Sequence, residues 1–151
     1  APYEVATEKA AQGMNIWTSF PGIPGVETMV PLLVSEGYNK GRIGLQRLVD
    51  LLSRNAAIHY GLYPKKGAME VGSDADLTFI DLEKRWTIDR NAMQSMAKYT
   101  PFDGMELKGK VMKTMVRGKL VFDDGRFPQG PGYGQFIRRQ TISKLPNVIT
   151  Y

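Results

Sequence analysis

Few side chains in this sequence are suited to chemistry, and their surroundings decide what they can do. The chain contains one histidine and no cysteine, which excludes a disulfide framework and any thiolate metal site. A two-metal hydrolytic centre needs several His and carboxylates converging on the ions. His59 stands alone among Ala57, Ile58 and Tyr60 and reads as a packing residue on a helix. Asp74 and Asp76 lie between Gly72 and an apolar run, a position that suits a solvated turn better than a cation site. Asp103 before Gly104 reads as turn chemistry, the glycine supplying a permissive backbone. Gly130, Gly132 and Gly134 have no strand before them and no helix after, so they do not make a dinucleotide loop. No Ser-His-Asp arrangement is present. Backbone groups remain. The run Phe20-Pro-Gly-Ile-Pro-Gly25 fixes turns and brings main-chain amides close to whatever lies beside them.

The elements that would position these groups follow from pattern and punctuation. Residues 1–27 form a loop-rich opening. Glu27 to about Glu36 reads as a short buried helix, in which Pro31 is tolerable only near the first turn, and Gly37 to Arg42 breaks it. Leu45, Leu48, Val49 and Leu52 fall on one helical stripe. Ser53 or Asn55 can then cap a following short helix through Ile58 that Gly61 ends. Asp76 to Leu82 reads as a strand, Arg85 to Ile88 as another, and Ala92 to Ala97 as a helical turn. Lys110 to Val116 and Lys119 to Phe122 flank Arg117-Gly118 as a tight hairpin, which Asp124-Gly125 ends. Residues 126–151 read as an extended tail whose Tyr133, Phe136, Ile137 and Leu145 need a partner surface.

Composition bounds the classes of partner. At 151 residues the chain has the length of one domain, with 42% hydrophobic residues for a core. No stretch approaches the roughly 20 apolar residues of a membrane span, and Ala1 to Lys9 lacks the apolar centre of a secretory signal. A cytoplasmic location is expected. The net charge is +5, yet the basic residues are scattered and mostly interleaved with acidic ones. No nucleic-acid module appears, so neither a nucleic acid nor a membrane is expected as partner.

Three stretches together resemble the cyclic amidohydrolases, which comprise hydantoinases, dihydropyrimidinases, allantoinases and dihydroorotases. The first is Phe20-Pro-Gly-Ile-Pro-Gly-Val-Glu-Thr-Met-Val-Pro-Leu-Leu33. The second is Leu51-Leu-Ser-Arg-Asn-Ala-Ala-Ile-His-Tyr-Gly-Leu62, with Lys66-Gly67 and Gly72-Ser-Asp-Ala-Asp-Leu-Thr-Phe-Ile-Asp81. The third is Tyr99-Thr-Pro-Phe-Asp-Gly-Met105 with Thr114-Met-Val-Arg-Gly-Lys-Leu-Val121. The Gly-x-Asp-Ala-Asp-Leu pattern alone indicates only the wider amidohydrolase superfamily, whereas Pro-Phe-Asp-Gly-Met joined to Met-Val-Arg-Gly is much narrower. Gly132-Tyr-Gly-Gln-Phe136 looks closest to the hydantoinases.

The resemblance implies an α/β fold: the closing part of a metal-dependent (β/α)8 barrel over residues 1–62, strands of a small β-sandwich over 63–125, and a tail over 126–151. It implies a binuclear zinc centre whose His, Asp and carboxylated Lys ligands lie upstream, because Ala1-Pro2 aligns with the family stretch that follows the last ligand, an Asp. This segment then holds no catalytic residue and no metal ligand. Its substrate contacts are expected at Pro21 and Gly22, where a fixed turn can offer one donor and one acceptor to a planar ring amide. Tyr3 falls where dihydroorotases place a His that helps bind the substrate carboxylate. A neutral phenol suits that role poorly and favours a hydantoinase- or allantoinase-like substrate. The implied partners are the upstream part of the same enzyme, a small cyclic amide, and further copies in a dimer or tetramer. A non-catalytic scaffold relative and a basic binding module remain as alternatives.

Overall fold

The computed structural model describes Asn15, Trp17, Thr18 and residues 22–139. Residues 1–40 and 82–110 make one compact unit, and residues 41–81 and 111–151 make another. The secondary structure is α/β. Strands β1 (Leu77–Thr87), β2 (Glu106–Val116) and β3 (Lys119–Asp123) form one sheet in that order, with β2 and β3 antiparallel.

In the first unit, α1 (Val26–Leu32) carries Pro31 inside it. Proline removes one ladder hydrogen bond there. The helical course does not stop: Leu33–Tyr38 continues as a wider π-helical segment, so the break expected from Gly37 begins only after Tyr38. Val34 on this segment is fully buried, and Ile88, Met93, Ala97 and Leu107 complete the apolar centre of the unit. The polar side chains beside Val34 serve the strands. Ser35 Oγ accepts the Lys108 N–H at 3.2 Å, while Asn39 Nδ2 donates to the carbonyls of Leu82 (2.9 Å) and Lys108 (2.7 Å). A buried backbone group left without such a partner costs about 1–3 kcal/mol. Gly109 supplies the remaining fit. Its φ of +111° and missing side chain let Val34 pack directly on β2, and its carbonyl accepts Trp86 Nε1–H at 3.0 Å.

The two strands expected over 76–82 and 85–88 are one. From Ile80 onward β1 alternates half-buried and exposed positions through Thr87, with Lys84 occupying an inward place beside Leu82 and Trp86. A lysine stem can line apolar surface while its head stays in water, so the Glu83-Lys84 charges do not interrupt the strand. Ala92 to Ala97 forms bends and turns, without the expected helical turn. The stretch is nonetheless anchored: Met93 and Ala97 are buried, and the Met93 carbonyl accepts Lys98 Nζ. Asp103 accepts the Arg90 N–H at 2.9 Å, and Gly104 N–H reaches the Ile88 carbonyl at 2.9 Å. The turn reading of Pro-Phe-Asp-Gly thus acquires a specific hydrogen-bonded form.

In the second unit, α2 (Leu45–Val49), a π-helical segment Asp50–Arg54 and α3 (Asn55–His59) follow one another without interruption. The expected capped break at Ser53 or Asn55 is absent; no side chain caps α3. The backbone absorbs the change of register in the wider turn and stays helical. Of the apolar stripe only Leu48 is buried, while Leu45 and Val49 stay about half exposed, at 47% and 49%. The hairpin is as expected at its tip. Arg117 and Gly118 both take positive φ, 46° and 75°, the geometry of a two-residue type I′ turn. Its strand β2 starts earlier than expected, at Glu106, and a bulge falls between Thr114 and Met115. Asp124-Gly125 closes a second tight turn, bridged between Asp123 and Arg126. The tail's described part, residues 127–139, has no helix or strand. Tyr133 docks on the hairpin tip, its hydroxyl donating to the Val116 carbonyl at 3.2 Å and the Arg117 guanidinium lying 4.4 Å from its ring centre.

Candidate functional site

Of the three expected substrate contacts, Tyr3 and Pro21 lie outside the described residues, and Gly22 lies within them. Gly22 is exposed, has φ +98°, and a side chain placed there would meet nothing within 4 Å. Its peptide is therefore presented on an open surface in a conformation that favours glycine. Four residues later the chain enters α1. The Gly25 carbonyl receives the Met29 N–H at 2.9 Å and the Thr28 N–H at 3.3 Å, with Thr28 itself buried. This fixes how the loop joins the helix.

The titratable residues flagged by sequence fall elsewhere. His59 is exposed, not packed in, with its ring edge-on to Tyr60 at 5.1 Å. Asp74 and Asp76 do surround a cation, but the cation is the Lys66 ammonium: Asp74 Oδ2 lies 3.0 Å from Nζ, and Asp76 Oδ2 is hydrogen-bonded to it. The other oxygen of Asp76 accepts the Arg117 N–H at 2.8 Å, and the Ala75 carbonyl accepts Gly118 N–H at 2.9 Å. The Gly-x-Asp-Ala-Asp motif is thus a clasp on the hairpin tip, a role that a solvated-turn reading misses. Burial opposes the charge on Asp76, but the Lys66 ammonium and the Arg117 N–H outweigh it and hold the carboxyl below its ordinary value. Burial likewise opposes the charge on Lys66, and the two carboxylates override it and raise that group. Among the described residues, no three His, Cys, Asp or Glu side chains are arranged to hold a metal ion, and no helix is long and apolar enough to cross a membrane.

One further feature escaped sequence reasoning. Glu27, exposed in the first turn of α1, accepts two consecutive amides, Gln94 N–H at 3.0 Å and Ser95 N–H at 2.9 Å. An acidic residue in a first helical turn is ordinarily explained by the helix dipole, and nothing local in the sequence points to a partner so far along the chain.

The model of the amidohydrolase family matches residues 7–121. An L-hydantoinase from Paenarthrobacter aurescens is 41% identical over 126 residues, 83% of this chain and 28% of that protein. A D-hydantoinase from Geobacillus stearothermophilus is 40% identical over 134 residues, 88% of this chain and 28% of that protein. Among solved structures, the D-hydantoinase of Bacillus sp. AR9 matches with a TM-score of 0.86 and 34% identity, over 95% of this chain and 31% of its own. The chain therefore spans a little under a third of the length of these relatives.

Proposed function

Because the chain belongs to the amidohydrolase family, we propose that it is the closing segment of an enzyme that hydrolyses the C–N bond of cyclic amides, with hydantoin-type ureides as the substrate class. The extent of the match to hydantoinases carries this reading. A non-catalytic scaffold or a basic binding module loses ground for the same reason.

Among the described residues no three His, Cys, Asp or Glu side chains are arranged to hold a metal ion, and the reading assigns the ligands to other parts of the enzyme. A metal bound there, with zinc as the family choice, would supply Lewis-acid activation of water and carbonyl. This chain's own part is different. In this reading Pro21 and Gly22 lie beside the ring amide of the substrate, as the family resemblance implies. Residues 1–62 close a (β/α)8 barrel, 63–125 contribute to a β-sandwich, and 126–151 form a tail. The half-exposed Leu45 and Val49 are accounted for if the helical run covers the rest of the barrel. A homo-oligomer in the cytoplasm completes the reading.

The test is a panel of rings offered to the full-length, metal-loaded protein: a 5-substituted hydantoin, dihydrouracil, allantoin and dihydroorotate. Ring opening of the hydantoin to its N-carbamoyl product is expected to be fastest. Dihydroorotate is expected to be the poorest, since Tyr3 offers no charge to its carboxylate. Opening of none of the four would refute the assignment.

A further inference from the structure

The tip of the β2–β3 hairpin carries a residue of the chain's own tail. Tyr133 is half-buried, while the residues on either side of it, from Gly130 to Phe136, are exposed. Its carbonyl accepts Arg117 Nη2 at 2.5 Å, and its hydroxyl donates to the Val116 carbonyl at 3.2 Å. The ring centre lies 4.4 Å from the Arg117 guanidinium and 5.4 Å from Lys119 Nζ. A planar guanidinium can stack on an aromatic face and still direct N–H groups at a carbonyl, which a lysine does less well. Arg117 is therefore the main hold on this stretch of tail.

Arg117 is itself held from its other side. Its N–H reaches Asp76 Oδ1 at 2.8 Å, and the next amide, Gly118 N–H, reaches the Ala75 carbonyl at 2.9 Å. The second oxygen of Asp76 is bonded to Lys66, which Asp74 also holds. Arg117 has φ +46°, a conformation that residues with a Cβ seldom adopt and leave when their support is removed. Where its guanidinium points thus depends on the bond from its N–H to Asp76. We propose that Arg117 couples the Lys66–Asp76 clasp to the tail, making the tail a strap that docks through Tyr133 when the clasp is closed and lifts when it opens. Coupling between two such contacts is reciprocal: docking must tighten the clasp by the same factor as the clasp favours docking.

The experiment uses the full-length protein as wild type, Asp76→Asn, Asp76→Ala, Tyr133→Phe, Tyr133→Ala and the Asp76→Ala/Tyr133→Ala double variant. It measures amide hydrogen exchange at Arg117 and Gly118, and the rate of trypsin cleavage after Arg138 and Arg139. Tyr133→Ala is expected to quicken exchange at both amides about tenfold, and Tyr133→Phe, which keeps the ring, about threefold. Asp76→Ala is expected to quicken tail cleavage by the same factor of about ten. If Asp76→Ala does not fold, Asp76→Asn carries the test with a smaller rise in the same direction. The double variant should be cleaved no faster than Tyr133→Ala alone, because its tail is already undocked. Unchanged exchange at Arg117 and Gly118 in Tyr133→Ala would overturn the proposal, as would wild-type cleavage in the Asp76 variants. So would a double variant cleaved at the product of the two single effects, the mark of two independent losses of stability.

Discussion

Gly109→Ala is expected to destabilise the protein by about 3–5 kcal/mol, combining backbone strain with overpacking. At φ +111° an L side chain is strained whatever space surrounds it, and an added Cβ would overlap Val34 Cγ1 and lie 3.2 Å from Val34 Cβ. Val34 is fully buried and has nowhere to retreat. Displacing β2 to make room would also loosen the Trp86 Nε1–H bond to the Gly109 carbonyl. Against a typical total stability of about 5–15 kcal/mol, such a change removes a large share. Denaturant unfolding of the full-length variant measures it, and Val34→Ala separates the two components. The double variant should be less destabilised than the sum of the singles by about 1–2 kcal/mol, because the overlap is relieved while the φ strain persists. Strict additivity would show that the contact with Val34 is not the cause.

The second large effect is expected at the hairpin clasp. Asp76→Ala leaves the Arg117 N–H without its acceptor and Lys66 with Asp74 alone. Hydrogen bonds to charged groups contribute about 1.5–3 kcal/mol. The side chains of Asp76 and Lys66 keep 32% and 16% of their exposure, so the lower half of that range is the better expectation. Asp76→Asn should recover part of it by keeping an acceptor for Arg117. The pH dependence follows from the shifts. Asp76 titrates lower in the folded state, so its contribution is present above the ordinary Asp value of about 3.9 and is lost as pH falls through the lowered folded value. Lys66 is raised, so its contribution is present below about 10.4 and is lost as pH rises through the raised folded value. Exchange protection at the Arg117 and Gly118 amides should therefore hold across neutral pH and weaken at both extremes. Asp76→Asn should flatten the acid limb, and an acid limb identical to wild type would count against the clasp.

What was legible in the sequence was local. Arg117-Gly118 forms the expected tight turn, with positive φ at both residues, and Asp124-Gly125 follows directly on the end of β3. Helix and strand types were readable where a single period dominates, as with the stripe through Leu48. The misses have one kind of cause. The continuity of β1 depends on Lys84 taking an inward position, which charge alone argues against. The uninterrupted run from Leu45 to His59 depends on a π-helical turn that absorbs register, where cap-forming residues suggested a break. Asp76 reads from the sequence as a turn acid, and Glu27 only as the start of a helical run. Their partners are Lys66 and Arg117 for Asp76 and Gln94 and Ser95 for Glu27, residues brought near by tertiary folding and invisible to any local window. His59, expected as a packing residue, is exposed.

As proposed above, this chain closes the site of a cyclic amide hydrolase whose metal ligands lie elsewhere in the enzyme. The most direct measurement pairs metal content with ring opening of a 5-substituted hydantoin in the full-length protein, for wild type and His59→Gln. Both are predicted to hold the same metal per chain and to open the ring at rates within about twofold, since a residue outside the reacting site changes neither quantity. A folded His59→Gln protein that has lost its metal, or a metal-loaded wild type that leaves the ring closed, would contradict the account.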